Sequence, residues 1–449
     1  MGLITPLPDE GLGNTSWLID LGDDRVAVVD PGRHPGPFLA FAERRGAKVA
    51  FSVETHLHAD FVTGSRELAA FGTTVVAPAA SGLEWPHRPV TDGQVVDLGG
   101  LSLRALSTPG HTPEHLAYLL SDGERPVAVF TGGSLLVGAV ARTDLIAPDR
   151  TEELARALWR SLHDRLLTLP DHLAVYPTHG AGSFCSAPSG DRRWTTIGDE
   201  RHTNPLLAAA DEDAFVTALL DGLGTYPTYF HHLREVNRAG PSVLGIPQPA
   251  LPVLDLDTFR RYAEGGAVVV DTRPVTTWAA SHIPGVLAIP LRAQFASWLG
   301  WLVERDAPLV FVVGADQDRA ELVRQCRQIG YDRVEGELAG GMTAWMAAGL
   351  PTQTTPLADA AEAGPGVLDV RQDREHADGH VPGVTHIELG ELHRVADRLE
   401  DVEAVMCGHG ERAATAASIL ERAGRPGLAV TVGGPGDWAA ATHDALARG

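Results

Sequence analysis

The chain carries one segment twice. Val268-Val-Val-Asp271-Thr-Arg273, followed by His282-Ile-Pro-Gly285, returns as Val367-Leu-Asp369-Val-Arg371, followed by His380-Val-Pro-Gly383. Asp271 to Asp369 and His282 to His380 share one offset of 98 residues, and Arg319 to Arg412 gives 93, so one short deletion relates the copies. A repeat of this length is one folding module made twice, which fixes the second half as a pair of α/β units. Each copy reads as strand, helix, His-x-Pro-Gly turn, second strand with a loop, helix, and a late Gly-Gly-x-x-x-Trp segment at 340–345 and 433–438.

The first half is not repeated but is also α/β in pattern. Apolar strands are predicted at 15–21, at 25–30 closed by Pro31-Gly32, and at 48–54, with a helix at 37–45. A helix from about 62, strands near Thr74, Leu101 and His115, a strand at 126–131, an amphipathic helix at 151–168 and a last strand at 173–177 follow. From about 200 to 251 the chain turns helical and then Pro-rich, the composition of a stiff connector. The expected domains are 1–240, with a helical extension from about 200, then 252–353 and 357–449; a length of 449 residues suits about three.

Charge and cysteine content narrow the chemistry. Lys and Arg total 36 against 58 Asp and Glu, and a net charge of -22 repels nucleic acid and anionic bilayers, so neither is an expected partner. No run of about 18 apolar residues occurs, and the start, Met1-Gly-Leu-Ile, lacks a leader pattern. Three cysteines, Cys185, Cys326 and Cys407, lie far apart and fit a reducing compartment, so a cytoplasmic location is expected.

His56-Leu-His58-Ala-Asp60 directly follows a predicted strand, and His111 and His179 follow two others. Strand ends are where α/β folds collect ligands, so four imidazoles and a carboxylate are expected to converge, the donor types of a zinc or iron centre. A lone histidine is more often structural; the set, at three strand ends, is what points to a site.

This pattern resembles the metallo-β-lactamase superfamily, in which His-x-His-x-Asp-His, a later His, an Asp and a final His bind one or two metals. The resemblance covers about residues 10–200. Thr55-His-Leu-His-Ala-Asp60, Pro109-Gly-His-Thr112 and Val129-Phe-Thr-Gly132 are most similar to glyoxalase II hydrolases and persulfide dioxygenases. It implies one Fe(II) or Zn(II) on His56, His58 and His111, with Asp60 and His179 behind them or at a second site. Two positions depart from the pattern: Phe61 stands where it has His, and Gly133 where it has a metal-binding Asp, and neither side chain carries a ligand atom. Three outcomes stay open: a three-imidazole site with one metal, weak binding completed by water or substrate, or a metal-free scaffold. Two bridged metals are not expected, and restoring Asp at 133 is expected to raise metal affinity.

Asp-x-Arg, His-x-Pro-Gly and the late Gly-Gly-x-x-x-Trp resemble rhodanese domains over about residues 252–449. Rhodaneses carry sulfane sulfur on the cysteine of a Cys-x-x-Gly-x-Arg loop, and the second copy reads Cys407-Gly408-His409-Gly410-Glu411-Arg412. Backbone N–H groups around the sulfur, a helix start and Arg412 favour a thiolate and then a persulfide anion. A cysteine after a strand is otherwise a small buried hydrophobe; the spacing to Gly410 and Arg412 makes Cys407 the candidate nucleophile. The first copy has Gly314 at the cysteine position, so it is read as structural or as a docking surface. Cys326 falls inside a helix and is expected in the core, and Cys185 has no adjacent basic residue or helix start to activate it.

The expected fold is thus a metallo-β-lactamase-like αββα sandwich followed by two rhodanese-like α/β domains. The expected function is persulfide handling, with a small thiol persulfide or thiosulfate as partner; iron in the first domain would imply oxidation of the persulfide to sulfite and thiol. A glyoxalase II-type thioester hydrolase and a non-catalytic first domain with sulfur transfer alone are the alternatives. The resemblance also allows a homodimer.

Overall fold

The computed structural model describes residues 2–185 and 192–449. The chain divides into two compact units, Met1–Pro249 with Arg327–Gly330, and Ala250–Cys326 with Tyr331–Gly449, so the two repeats share one unit.

In the first unit, strands whose alternate residues are apolar on both faces build two stacked six-stranded sheets. Ile4–Asp9, Asn14–Gly22, Arg25–Val29, Lys48–Val53, Thr74–Pro78 and Arg88–Val90 lie in chain order in one sheet. The other runs Thr195–Thr196, Ala174–Pro177, Arg125–Gly132, Leu116–Asp122, Leu101–Ser107, Val95–Asp97. Along Asn14–Gly22 the period of two sends Trp17, Ile19 and Leu21 into the layer between the sheets, where Tyr118 and Phe130 of the second sheet meet them. Leu18, with Val26 and Val28, faces the other way onto Phe38 and Phe41 of the helix Gly36–Glu43. Val129 and Val175 of the second sheet likewise face Leu158 and Phe215 from the helices Thr151–Ser161 and Glu212–Asp221. Helices thus cover both outer faces, the αββα sandwich expected.

The helix expected over 151–168 ends sooner. Thr151–Ser161 is α-helical and Leu162–Leu166 is a single wider π-turn, closed by Leu167 N–H donating to the Leu162 carbonyl at 2.8 Å. The extra residue in the turn keeps both Leu162 and Leu166 buried in the same apolar cluster as Leu158.

In the second unit each repeat is a five-stranded, wholly parallel sheet. The first runs Val253–Leu254, Val334–Leu338, Leu309–Val312, Val268–Asp271, Leu287–Ala288; the second runs Leu357–Asp359, Ala429–Val432, Ala404–Met406, Val367–Asp369, Thr385–His386. Covered on both faces, the central strands are continuous apolar runs such as Leu309–Val312 rather than alternating ones. The repeated Asp-x-Arg is a buried ion pair: Arg273 Nη2 donates to Asp271 Oδ2 at 2.5 Å and Arg371 Nη2 to Asp369 Oδ2 at 2.7 Å. The same guanidinium nitrogens reach the carbonyls of Ser281 and Gly379, tying strand end to the following turn. Removing one partner would leave an uncompensated buried charge, about 3–5 kcal/mol, so the motif is architectural.

The helix Glu411–Arg422 of the second repeat is docked on the first. Glu421 accepts from Gly285 N–H at 2.9 Å and pairs with His282 Nε2 at 3.0 Å, and Ser418 Oγ accepts from Ala288 N–H at 3.0 Å. The His-x-Pro-Gly turn of the first copy is therefore the docking surface. No helix among the described residues is long and apolar enough to cross a membrane.

Candidate functional site

Asp30 assembles the loop ends of the first unit. It closes the strand Arg25–Val29 with a left-handed φ of 48°, the backbone that lets its carboxylate turn back under the neighbouring loops. Oδ1 accepts from Thr55 N–H and Oδ2 from Thr55 Oγ1, both at 2.7 Å, and Thr178 Oγ1 also donates to Oδ2. Burial pushes this carboxyl up, but the His58 ring and these donors outweigh it and hold it below its ordinary value, so it stays ionised. Asp30 thereby aligns the loop of His56 with the loop of His179. It was missed in the sequence, where Asp-Pro-Gly read only as a strand stop.

A helix fixes the loop from the other side. Asn237, on Phe230–Ala239, donates to the carbonyls of His58 and Phe61, both at 2.9 Å, and accepts from Thr63 N–H at 2.9 Å. Tyr229 donates to the Asp60 carbonyl at 2.9 Å, and Arg234 to Leu57 O at 3.2 Å. The helical extension of the first domain is thus a clamp on the histidine loop.

The rings do converge, and their outer nitrogens are committed. His111 Nδ1 lies 2.7 Å from the Arg142 carbonyl, which only accepts, so Nδ1 carries the proton. His179 Nδ1 donates to Asn14 Oδ1 at 2.9 Å, because Asn14 Nδ2 is turned to Asp60 Oδ2 at 2.8 Å. His56 Nδ1 lies 2.8 Å from Thr55 Oγ1, whose own proton goes to Asp30, so the ring donates here too. In a neutral ring with its proton on Nδ1, Nε2 keeps its lone pair. His56 and His179 bring theirs to 3.3 Å, and one nitrogen from each of His56, His111 and His179 lies within 4.8 Å of the others. Burial first, and neighbouring rings next, hold His56 and His111 well below the usual imidazole range. His115 is a fifth ring, absent from the expected set: its Nε2 accepts from Gly133 N–H at 3.0 Å, and it is pushed down, chiefly by burial, to about 3.

His58 faces elsewhere. Its ring stacks on Phe61, with centroids 4.2 Å apart, and its Nε2 lies 3.2 Å from Asp30 Oδ1 and 3.4 Å from Glu54 Oε2. Burial alone would lower its pKa, but the two carboxylates outweigh it and raise it to about 10. Asp60 stands behind His179, its Oδ2 3.2 Å from Nδ1; burial raises its pKa and His179 more than reverses this.

At Gly133 a Cβ would fall 2.4 Å from His111 Cδ2 and 3.2 Å from Ala141 Cβ, so the His111 ring fills the space a side chain would need. The expectation that Asp at 133 simply restores a ligand is therefore corrected: it would displace His111.

Residues 9–179 match the model of the metallo-beta-lactamase superfamily, and residues 255–348 and 354–441 each match that of the rhodanese-like domain. The chain is 30% identical over 202 residues to "Persulfide dioxygenase ETHE1, mitochondrial" of Homo sapiens, covering 44% of this chain and 73% of that protein. It is 33% identical over 249 residues to "Hydroxyacylglutathione hydrolase" of Rhodopseudomonas palustris (strain BisB18), 49% of this chain and 93% of that one. The chain belongs to the metallo-β-lactamase superfamily, with two rhodanese-like domains behind. A crystal structure of a metallo-beta-lactamase from Staphylococcus aureus subsp. aureus COL superposes with a TM-score of 0.66 at 25% identity, covering 75% of this chain and 98% of that one.

Against the superfamily pattern, the donor atoms group differently. The expected trio of His56, His58 and His111 is not the grouping formed: His179 joins His56 and His111, whereas His58 groups with Asp60 and His179 or with Asp30 and His56. The reason is local. Phe61 offers a face to the His58 ring in place of a further nitrogen, and the His111 ring lies against Gly133 where a side chain would stand. Cys185 is fully buried, and burial pushes its thiol far up, with Asp60 adding to this, so the protonated thiol is favoured there.

In the second unit Cys407 follows the strand Ala404–Met406, and Gly410 begins the turn into the helix Glu411–Arg422 with φ 102°, a backbone glycine adopts freely. Gly410 N–H donates to Cys407 Sγ at 3.1 Å. The thiol is 1% exposed, yet its setting is polar: Arg412 acts on it electrostatically and is held by Glu375 through bonds of 2.6 and 2.8 Å. Gly408, His409 and Glu411 complete the loop, and Glu411 pairs with Arg292 of the first repeat at 3.3 Å. The corresponding loop of the first repeat is filled by Gln317, which accepts from Gly314 N–H at 2.8 Å and donates to the Thr272 carbonyl at 2.6 Å. Cys326 is buried in its helix, in the core as expected.

Proposed function

We propose that the chain is a persulfide-handling enzyme: Cys407 carries sulfane sulfur, and the histidine cluster of the first unit acts on the persulfide of a small thiol. The observation that carries this reading is the Cys407 loop, a sulfur facing the Gly410 N–H at a helix start. In transfer, the Cys407 thiolate attacks the outer sulfur of a donor R–S–SH. The donor S–S bond breaks, R–S⁻ leaves with the proton as R–SH, and Cys407–S–S⁻ remains. The new anion is stabilised by the loop N–H groups and the helix dipole, and an acceptor thiolate then takes its outer sulfur by the same exchange.

The histidine cluster suits a divalent metal, since its Nε2 lone pairs face one another in a buried pocket. When bound, such a metal supplies Lewis acidity, and iron in addition redox access to oxygen. His56, His111 and His179 would hold it, Asp60 would orient His179, and the Asn237 clamp would keep the loop rigid. With iron the reading extends to the overall reaction in which a persulfide, dioxygen and water give a thiol, sulfite and two protons. Oxygen uptake by the iron-reconstituted protein with glutathione persulfide tests this, and no uptake above metal-free protein removes the oxidation.

Hydrolysis of a glutathione thioester is the second reading, supported by the match over 93% of the hydroxyacylglutathione hydrolase. Thioester turnover with zinc and no oxygen uptake with iron would select it. Absence of both reactions, with sulfur transfer intact, would leave the first unit as a scaffold.

A further inference from the structure

We propose that Arg292, on the cysteine-less first repeat, is the cation that recognises an anionic sulfur donor at the Cys407 loop of the second. This rests on the reading of Cys407 as the sulfur carrier and adds the charge of the donor that the loop selects.

The second repeat alone is a poor host for an anion. Residues 357–449 carry eight arginines and no lysine against sixteen Asp and Glu, so the module as a whole repels thiosulfate and the carboxylates of a thiol persulfide alike. The loop's own Arg412 is already neutralised, both terminal nitrogens being spent on Glu375 at 2.6 and 2.8 Å. Glu411, directly after the Gly410 that donates to the sulfur, adds a further negative charge. Recognition of an anion therefore calls for a cation from outside the repeat.

Arg292 is placed to supply it. Its Nη1 lies 3.3 Å from Glu411 Oε2, a looser contact than the pair on Arg412, and the two side chains stay 32% and 29% exposed. Leu291 N–H donates to the Thr272 carbonyl and Leu389 N–H to that of Val370, so the positions that follow, Arg292 and Gly390, are equivalent in the two copies. The backbone of Arg292 is pinned within its own repeat, where Gln325 donates to its carbonyl at 2.9 Å and accepts from Ala296 N–H at 3.0 Å. Across the boundary, the helix Phe295–Leu302 lays Trp301 on Gly390, where a Cβ would fall 2.0 Å from Trp301 Nε1. Trp298 stacks on Trp301 with centroids 5.3 Å apart, and Arg412 Cζ lies 5.7 Å over the Trp298 ring. Glycine at 390 thus admits the helix that brings arginine at 292 to the loop, and the same helix steadies Arg412 on an aromatic face.

An anionic group of the donor, the sulfonate end of thiosulfate or a carboxylate of a thiol persulfide, displaces Glu411 from Arg292 as the Cys407 thiolate attacks the outer sulfur. With thiosulfate the S–S bond breaks, sulfite leaves with the bonding pair, and Cys407–S–S⁻ remains.

The test measures transfer to cyanide by the full chain from thiosulfate, glutathione persulfide and cysteamine persulfide, the last carrying an ammonium and no carboxylate. Arg292→Gln should raise KM for thiosulfate about tenfold, the loss of one charge-assisted hydrogen bond, with kcat within about twofold. Arg292→Lys should recover most of this loss, and Glu411→Gln, which frees Arg292, should lower the same KM. Turnover of cysteamine persulfide by Arg292→Gln should stay within about twofold of wild type, which also shows the variant to be folded. Arg374→Gln, which removes another exposed cation of the second repeat, should leave every KM within about twofold. A rise with thiosulfate alone assigns Arg292 to the sulfonate, and a rise with both anions assigns it to either source of negative charge. Unchanged KM for both anionic donors in Arg292→Gln, an equal rise for cysteamine persulfide, or an equal rise in Arg374→Gln would overturn the proposal. Intact mass of wild type after each donor separates the two levels: sulfur on Cys407 with no effect of Arg292 removes only the role of Arg292, and no sulfur from any donor removes the carrier reading itself.

Discussion

The two repeats of the second unit have the same strand order and the same buried Asp-x-Arg pair, yet only one loop carries a cysteine. In the second, the residue after the central strand is Cys407 and the position that donates to it is Gly410. In the first, Gly314 replaces the cysteine, and Gln317 takes the place of Gly410 and turns its amide into the loop. One copy therefore spends its loop hydrogen bonds on its own side chain, and the other leaves a backbone donor for a sulfur. The difference teaches that the frame and the chemistry are separable. Ion pairs and parallel strands specify the module, while two positions in one loop decide whether it can act.

The largest effect that would break this comparison is on transfer itself. Cys407→Ser should reduce thiosulfate-to-cyanide sulfur transfer to background, while Cys326→Ser should leave it within about twofold once both variants are shown to be folded. Retained activity in Cys407→Ser would refute the division of labour.

Next comes the shared frame. Asp369→Asn should cost about 3–5 kcal/mol at neutral pH by breaking a buried pair, and Asp271→Asn should cost a similar amount if the copies are equivalent. Burial pushes the Asp369 carboxyl up, but Arg371 and His376 outweigh it and hold it below its ordinary value. Its stabilisation is therefore fully present above the unfolded carboxyl value of about 3.9 and lost as pH falls through the lower folded value. Thermal unfolding across that acid range should show wild type and Asp369→Asn converging.

A smaller effect is expected where the copies meet. Replacing His282 and Glu421 by Ala, singly and together, should reveal a coupling of about 1 kcal/mol in a double-mutant cycle. Additive losses would mean that the turn of the first copy does not support the helix of the second.

The smallest is a gain. Gly314→Cys alone should not create transfer, because its new Cβ would lie 3.3 Å from Gln317 Oε1. Gly314→Cys with Gln317→Gly should admit detectable labelling of the introduced thiol by a persulfide donor, and equal labelling in the single variant would show that Gln317 does not close the loop.

How far the sequence could be read follows from which forces are local. The repeat, the Asp-x-Arg pairs and the alternation that puts Trp17 and Leu18 on opposite faces are set by neighbouring residues, so they were legible. That His56, His58, His111 and His179 lie near one another was also legible, because these loops follow strands of one sandwich, but the trio expected from the sequence was His56, His58 and His111. What was hidden depends on residues distant in sequence. Asp30 acts through Thr55 and Thr178, Asn237 acts on carbonyls about 175 positions earlier, and neither pattern has a period. The role of Gly133 was hidden for a related reason: a missing side chain reads as a lost ligand, whereas in space it is room for a neighbouring ring.

The central claim, that sulfur is carried on one of two matched loops, is tested most directly by intact-mass analysis of the protein after brief incubation with glutathione persulfide and removal of excess donor. One sulfur atom per chain should be gained and recovered on the peptide that holds Cys407. A mass without added sulfur, or sulfur found on Cys185 or Cys326 with Cys407 unmodified, would contradict it.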